Sequence, residues 1–296
     1  MTFEIFVRLA IAGLTTGAIY SLIAIGFTTI YRSSNILNLA QGEFVMLGGL
    51  LTIFFIHRFS LSYLAAGILS VLVVTLIGFL IQRLVIKPLM DQSLLILIMA
   101  TMGLSVFISG SAALVFGTSP KSLPPIIHVE PVLIISTVRI NIQSLIIIGV
   151  SVLLIFILYL ISHHTFYGKA MEAVSTDRLG AELVGIPRDL IMMISFGASA
   201  AIGAIAGICI TPIIFTQYNS GAILGLKGFS AAVIGGWGRY SGALTGGILL
   251  GLIESLSVGI IPSGYKDAVS FTALLLILYL RPKGILGSRA LSESRK

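Results

Sequence analysis

Long stretches without a charged residue decide what this 296-residue chain can fold into. Leu9–Tyr31 and Ile140–Ser162 each run 23 residues, Phe59–Gln82 runs 24 and Gln92–Pro120 runs 29. About 20 residues of helix cover the hydrocarbon core of a bilayer, so each stretch supplies one crossing. Leu190–Leu226 is uncharged over 37 residues. As a single helix it would be about 55 Å long, nearly twice what a bilayer needs. Thr211-Pro212 and the polar run Thr216–Ser220 divide it into two. Shorter apolar segments lie at Phe44–Ile56, Tyr240–Ile260 and Ala268–Leu280.

Composition agrees with this reading. Hydrophobic residues make up 57% of the chain and charged residues 10%. A soluble domain carries about 25% charged residues, so a water-soluble globular protein is excluded. Alternating strands of about ten residues are absent, which argues against a transmembrane β-barrel. One cysteine, Cys209, rules out a disulfide framework, and four histidines are few for a metalloenzyme. The expected fold is an all-α integral membrane protein of about nine transmembrane helices. The segments are 8–31, 39–56, 60–82, 93–116, 140–162, 190–211, 219–237, 240–260 and 267–281. Met1–Arg8 contains Glu4 and no basic cluster, so the first segment reads as a helix and not as a cleaved signal.

Basic residues set the expected orientation. With the amino terminus outside, the cytoplasmic side holds Arg32, Arg83, Lys87, Lys169, Arg178, Arg188, Arg239, Arg281, Lys283, Arg289, Arg295 and Lys296. The outer side holds Arg8, Arg58, Lys121, Arg139, Lys227 and Lys266. Twelve against six favours this arrangement under the positive-inside rule. The carboxyl terminus is then cytoplasmic. Lys227, inside the outer half of the short seventh segment, is its weak point. Outer loops are short except Gly117–Arg139, and no segment is long enough for a separate soluble domain. The expectation is one transmembrane domain over 1–296.

One internal stretch is hydrophilic. His163–Asp189 holds seven of the 29 charged residues. Ala170, Ala173, Val174, Asp177, Ala181 and Val184 recur at spacings of three and four, which predicts one amphipathic helix with a small-residue face. Gly185 and Pro187 end it. Such a face fits a groove on another protein; a solvated surface helix is the plainer alternative.

This loop resembles the cytoplasmic coupling loop of bacterial ABC importer permeases, and more closely that of the branched-chain amino-acid permeases of the LivH type. Gly13–Gly26, Asn38–Glu43, Lys227–Gly236, Tyr265–Asp267 and Pro282–Gly287 resemble that type in the same order. The general motif of Glu-Ala-Ala with glycine six residues after the Glu is not reproduced. Glu172-Ala173-Val174 has Arg178 at that place, while Asp177, Ala181, Gly185 and Ile186 match the LivH pattern. The resemblance implies an ATPase-coupling surface at Ala170, Ala173, Asp177, Ala181, Gly185 and Ile186. It also implies two cytoplasmic ATPase subunits, a second homologous permease subunit, a soluble extracytoplasmic binding protein, and a location in the bacterial inner membrane.

Several polar residues fall within or beside the spans. Asn38 and Gln41 have capping-box spacing at the start of the second segment, after a polar break at Arg32–Asn35. Glu43 sits near that helix's positive end, a place favoured with or without a substrate. Glu254 lies mid-segment, where a carboxylate costs about 2.5–3.5 kcal/mol on insertion scales. Its role is either packing or pathway. The candidate pathway residues are Asn35, Asn38, Gln41, Glu43, Gln217, Lys227 and Glu254. Glycine pairs four apart, such as Gly203/Gly207 and Gly247/Gly251, predict close helix approach within the chain or to a second subunit. Glu43–Gly49 and Ser230–Gly236 form a weak echo in oppositely running segments, a hint of an inverted repeat.

No Gly-x-x-x-x-Gly-Lys-Ser/Thr motif, HExxH or nucleophile–base pattern is present, so no catalytic site, cofactor or metal is expected. The resemblance to the LivH type implies a non-catalytic permease of a binding-protein-dependent ABC importer moving leucine, isoleucine and valine by alternating access. Urea or another small solute within the same family is one alternative. An ATP-independent channel or secondary transporter is the alternative from another class.

Overall fold

A computed structural model describes residues 3–125, 132–135 and 138–287 of the chain. Twelve helices appear among them. They are α1 (Phe3–Ser34), α2 (Gln41–Phe59), α3 (Tyr63–Ile81), α4 (Lys87–Leu89), α5 (Leu94–Phe116) and α6 (Ile142–His164). Then come α7 (Phe166–Thr176), α8 (Arg178–Leu183), α9 (Arg188–Ile210), α10 (Ser220–Gly235), α11 (Tyr240–Ser257) and α12 (Lys266–Leu280). A π-helical turn, Gln82–Ile86, carries α3 into α4 without a break. Each of the nine expected segments contains a helix. Among the described residues six helical runs are long and apolar enough to cross a membrane: Glu4–Ser34, Gln41–Phe59, Tyr63–Leu89, Leu94–Phe116, Ile142–His164 and Arg188–Ile210. The helix Ser220–Gly235 is apolar but shorter.

Strand pairing among the described residues is slight. β1 (Val132–Ile135) and β2 (Val138–Asn141) pair antiparallel at the end of the expected outer loop, β2 taking in the first two residues of the expected fifth segment. A bridge joins Lys121 to Thr216. Arg289, Arg295 and Lys296, used in the sequence argument, lie outside the described residues, as do the side chains of Arg139 and Arg178.

The bundle has a centre and a periphery. Ile19, Ile23 and Phe27 of α1 pack with Ile202 of α9, Ala231 of α10 and Leu250 of α11. Phe44 and Met46 of α2 pack with Val74 of α3 and with Phe196 and Ala200 of α9. By contrast α3, α5 and α12 leave Leu64, Leu114 and Tyr279 largely exposed. Such faces are stable in lipid, which is as apolar as the side chains, and not in water.

Glycine lets the central backbones touch. A Cβ on Gly251 of α11 would collide with the Gly17 backbone of α1, and one on Gly207 of α9 with the Val45 carbonyl of α2. With no hydrophobic effect between helices in lipid, backbone approach of this kind supplies the packing attraction. The four-apart glycines of α9 and α11 are thus used inside the chain.

The predicted single helix over 168–186 is instead two. Asp177 is extended, closing α7 and capping α8 by accepting a hydrogen bond from the Gly180 amide at 3.1 Å. An aspartate that bonds a backbone amide three residues on competes with helix continuation. Gly185 then takes a left-handed φ of 82° and ends the segment.

Candidate functional site

Two candidate pathway residues turn out to be partners. Lys227 Nζ of α10 lies 2.7 Å from Glu254 Oε1 of α11 and 2.7 Å from Asp267 Oδ1 of α12. Ser270 Oγ donates to Glu254 Oε2 at 2.9 Å, and the Tyr20 hydroxyl of α1 is 3.2 Å from the same oxygen. The Lys227 and Glu254 side chains are only 4% and 8% exposed. Desolvating two charges is expensive, and only close pairing with hydrogen bonds on the remaining atoms makes it tolerable. This cluster meets that condition and ties four helices together. Lys227, awkward in a segment read alone, is accounted for by its two carboxylates.

The polar break is equally concrete. α1 stops at Ser34, Asn35 takes a left-handed φ of 57°, and helix resumes at Gln41. The capping box is not formed. Asn38 Oδ1 accepts from the Ala40 amide, two residues on, at 3.2 Å. Gln41 does not reach back but exchanges two bonds with Ser199 of α9, donating to its carbonyl at 3.2 Å and accepting from its hydroxyl at 2.7 Å. These bonds to a packed neighbour hold the Gln41 amide on α9 and away from the local cap. Gln41 is therefore a packing residue in this state.

Glu43, 1% exposed, accepts from Ser105 Oγ of α5 at 2.8 Å. Its other oxygen faces Gly221 and has no hydrogen-bond partner; Asn38 Nδ2 is likewise buried and unpaired. Ser105 belongs to a stripe that sequence reasoning missed. Thr101, Ser105 and Ser109 are spaced by four on α5 and donate to Leu37 O (3.3 Å), Glu43 Oε1 and Tyr218 O (2.7 Å). The signal was present: hydroxyls at i, i+4 and i+8 share one helix face. The stripe joins both breaks, 35–40 and 216–219. Gln217 lies in the second, its amide donating to Ser220 Oγ at 3.0 Å.

The coupling candidates divide by exposure. Ala170 and Ala181 are buried with Met171, Val174 and Ile191. Ala173 and Ile186 are half-buried against this cluster, and Asp177 and Gly185 are exposed. The small-residue face therefore packs onto its own chain, because apolar burial beneath a polar loop is available there. The apolar residues that α8 and its C-cap present outward are Leu179, Leu183 and Val184, with Leu183 88% exposed. Side-chain contacts fasten the segment to the membrane bundle, among them Arg32 of α1 with Glu172 of α7 at 4.0 Å. Asn35 Nδ2 donates to Ser175 O at 3.1 Å, and the Tyr167 hydroxyl is 2.8 Å from Ser195 Oγ.

A family model described as the branched-chain amino acid transport system / permease component matches residues 9–278. The chain belongs to this permease family. It is 32% identical to the high-affinity branched-chain amino acid transport system permease protein BraD of Pseudomonas aeruginosa, over 95% of this chain and 96% of that one. It is 31% identical to the LivH permease protein of Escherichia coli K12, with 96% of each chain covered. Among solved structures, PsaBC from Streptococcus pneumoniae in complex with Fab aligns over 95% of this chain at 13% identity, with a TM-score of 0.44.

Proposed function

We propose that this chain is the membrane-spanning subunit of a binding-protein-dependent ABC importer for leucine, isoleucine and valine. The near-full-length identity to BraD and LivH supports this reading most directly. In it the whole chain is one permease domain with nine crossings, an outer amino terminus and a cytoplasmic carboxyl terminus. Residues 163–189 form its coupling loop. Two ATPase subunits hydrolyse ATP in the cytoplasm, a second permease completes the membrane unit, and a binding protein delivers solute in a bacterial inner membrane.

The geometry supports a transmission route. ATPase closure displaces α7 and α8. Their links at Ser175–Asn35 and Tyr167–Ser195 carry that displacement to the α1–α2 break and to α9. A packed bundle responds by switching between discrete arrangements, outward-facing and inward-facing. The polar lining expected for a zwitterion is available where the α5 stripe meets Glu43 and Tyr218, since an unpaired charge is costly in hydrocarbon.

The test is ATP-driven uptake by the reconstituted transporter with and without its binding protein. Leucine uptake is expected to require that protein. Uptake of urea but not leucine overturns the substrate, and efficient leucine uptake without a binding protein overturns the division of labour.

A further inference from the structure

An open cleft of about 520 Å³ lies where α2 ends and the chain leaves α5. It is lined by Ile53, Phe54, His57, Arg58, Lys121 and Ser122. Three of the six are basic types, one is a hydroxyl donor and none is acidic. Among the described residues neither Arg58 nor Lys121 is in an ion pair. Arg58 occupies the last turn of α2, beside His57, where the helix dipole holds its cation in place. Lys121 is fixed by two backbone hydrogen bonds to Thr216, of 2.9 and 2.8 Å.

The flank of this cleft is apolar and aromatic. Phe54 sits 5.7 Å from Phe55, 6.1 Å from Phe59 and 5.9 Å from Phe116, ring centre to ring centre. Phe59, at the edge of this cluster, is exposed. α2 and α5 are both long and apolar enough to cross a bilayer, so their ends mark an interface. Cations just beyond a membrane-embedded aromatic cluster match the two halves of a phospholipid: headgroup phosphate above, acyl chains below. An acidic protein partner would satisfy the cations but leave the aromatic flank unused.

We infer that this cleft binds the headgroup of an anionic phospholipid, with Arg58 and Lys121 on the phosphate and acyl chains along Phe54 and Phe59. The site goes beyond the transport reading and holds whichever side of the membrane it faces.

The probe is phosphatidylglycerol, with phosphatidylcholine as the zwitterionic control. The intact transporter is purified and its retained lipid measured by native mass spectrometry. A cation near a lipid surface changes binding about five-fold, so Arg58→Gln should retain about five-fold less phosphatidylglycerol. Arg58→Gln with Lys121→Gln should retain about 25-fold less, with phosphatidylcholine unchanged. Phosphatidylglycerol should raise the thermal midpoint of the unsubstituted protein but not of the double variant, while both unfold alike in phosphatidylcholine. Equal retention of the two lipids, or unchanged phosphatidylglycerol retention in the double variant, overturns the site. Displacement of the lipid by inorganic phosphate at equal concentration would assign the cleft to free anions instead. Normal lipid retention with lost binding-protein association would assign it to an acidic protein surface.

Discussion

Glu254 carries two obligations that only its neighbours reveal. It compensates Lys227, and it accepts hydrogen bonds from Ser270 and Tyr20. Removing one member of a buried pair leaves the other charge uncompensated, at a cost of about 3–5 kcal/mol. Here Asp267 stays within 2.7 Å of Lys227 and offsets part of that loss. Glu254→Leu is therefore expected to lower the detergent-solubilised thermal midpoint clearly, and Glu254→Gln less. Lys227→Leu combined with Glu254→Leu should recover much of the loss, because apolar groups can replace an ion pair at little cost. A double variant as unstable as the sum of its singles would disprove the pairing as the reason for both residues. Asn35 shows the same dependence on context. Its left-handed backbone and its bond to Ser175 place it where the coupling segment meets the break.

At the scale of elements, α7 and α8 differ most from what their periodicity predicts. The alanines expected to face a partner face Ile191 and Met171 of the same chain. Bulk at a buried alanine forces its surroundings apart, at about 1–3 kcal/mol. Ala181→Trp is thus expected to loosen the loop itself, read as faster proteolysis at 163–189 even without ATPase subunits. Leu183→Asp, on the exposed side, should leave the loop intact but reduce ATPase co-purification at least tenfold. Normal co-purification of Leu183→Asp with undiminished uptake would remove the outward leucines from the docking surface. α5 is the opposite case: its stripe of Thr101, Ser105 and Ser109 is regular, yet its purpose appears only when α2 and the 216–219 turn are beside it.

At the scale of the whole molecule, the proposed orientation is what the distribution of charge bears on. The twelve-to-six distribution of basic residues favours an outer amino terminus. In the proposed orientation Lys121 would lie outside and Leu183 inside. Cys209 is buried, so a Cys209→Ala background is expected to fold with little change. In intact cells a membrane-impermeant thiol reagent should label Lys121→Cys and spare Leu183→Cys. The reverse pattern would invert the orientation, and the assignment of 163–189 as an ATPase-facing loop would fall with it.

Single-residue properties and spacing determined the membrane class, the helical segments and the location of the hydrophilic loop. These follow from the cost of burying backbone polar groups and charges in hydrocarbon, which acts locally along the chain. That the chain breaks after the first segment and again near Thr211–Ser220 was legible for the same reason, since polar runs and proline interrupt apolar helices; but Arg32–Ser34, expected in the first break, stay in α1, and the chain opens only at Asn35. Partnership was not legible. Lys227 and Asp267 meet through space, and Gln41 prefers Ser199 of α9 to the local cap its spacing suggested. Which face of α7–α8 is buried also depends on Ile191 lying beneath it. Periodicity identifies a face of a helix but not what covers it, and hydrogen-bond satisfaction is a property of neighbours distant in sequence. Those choices were made by the packing of the bundle.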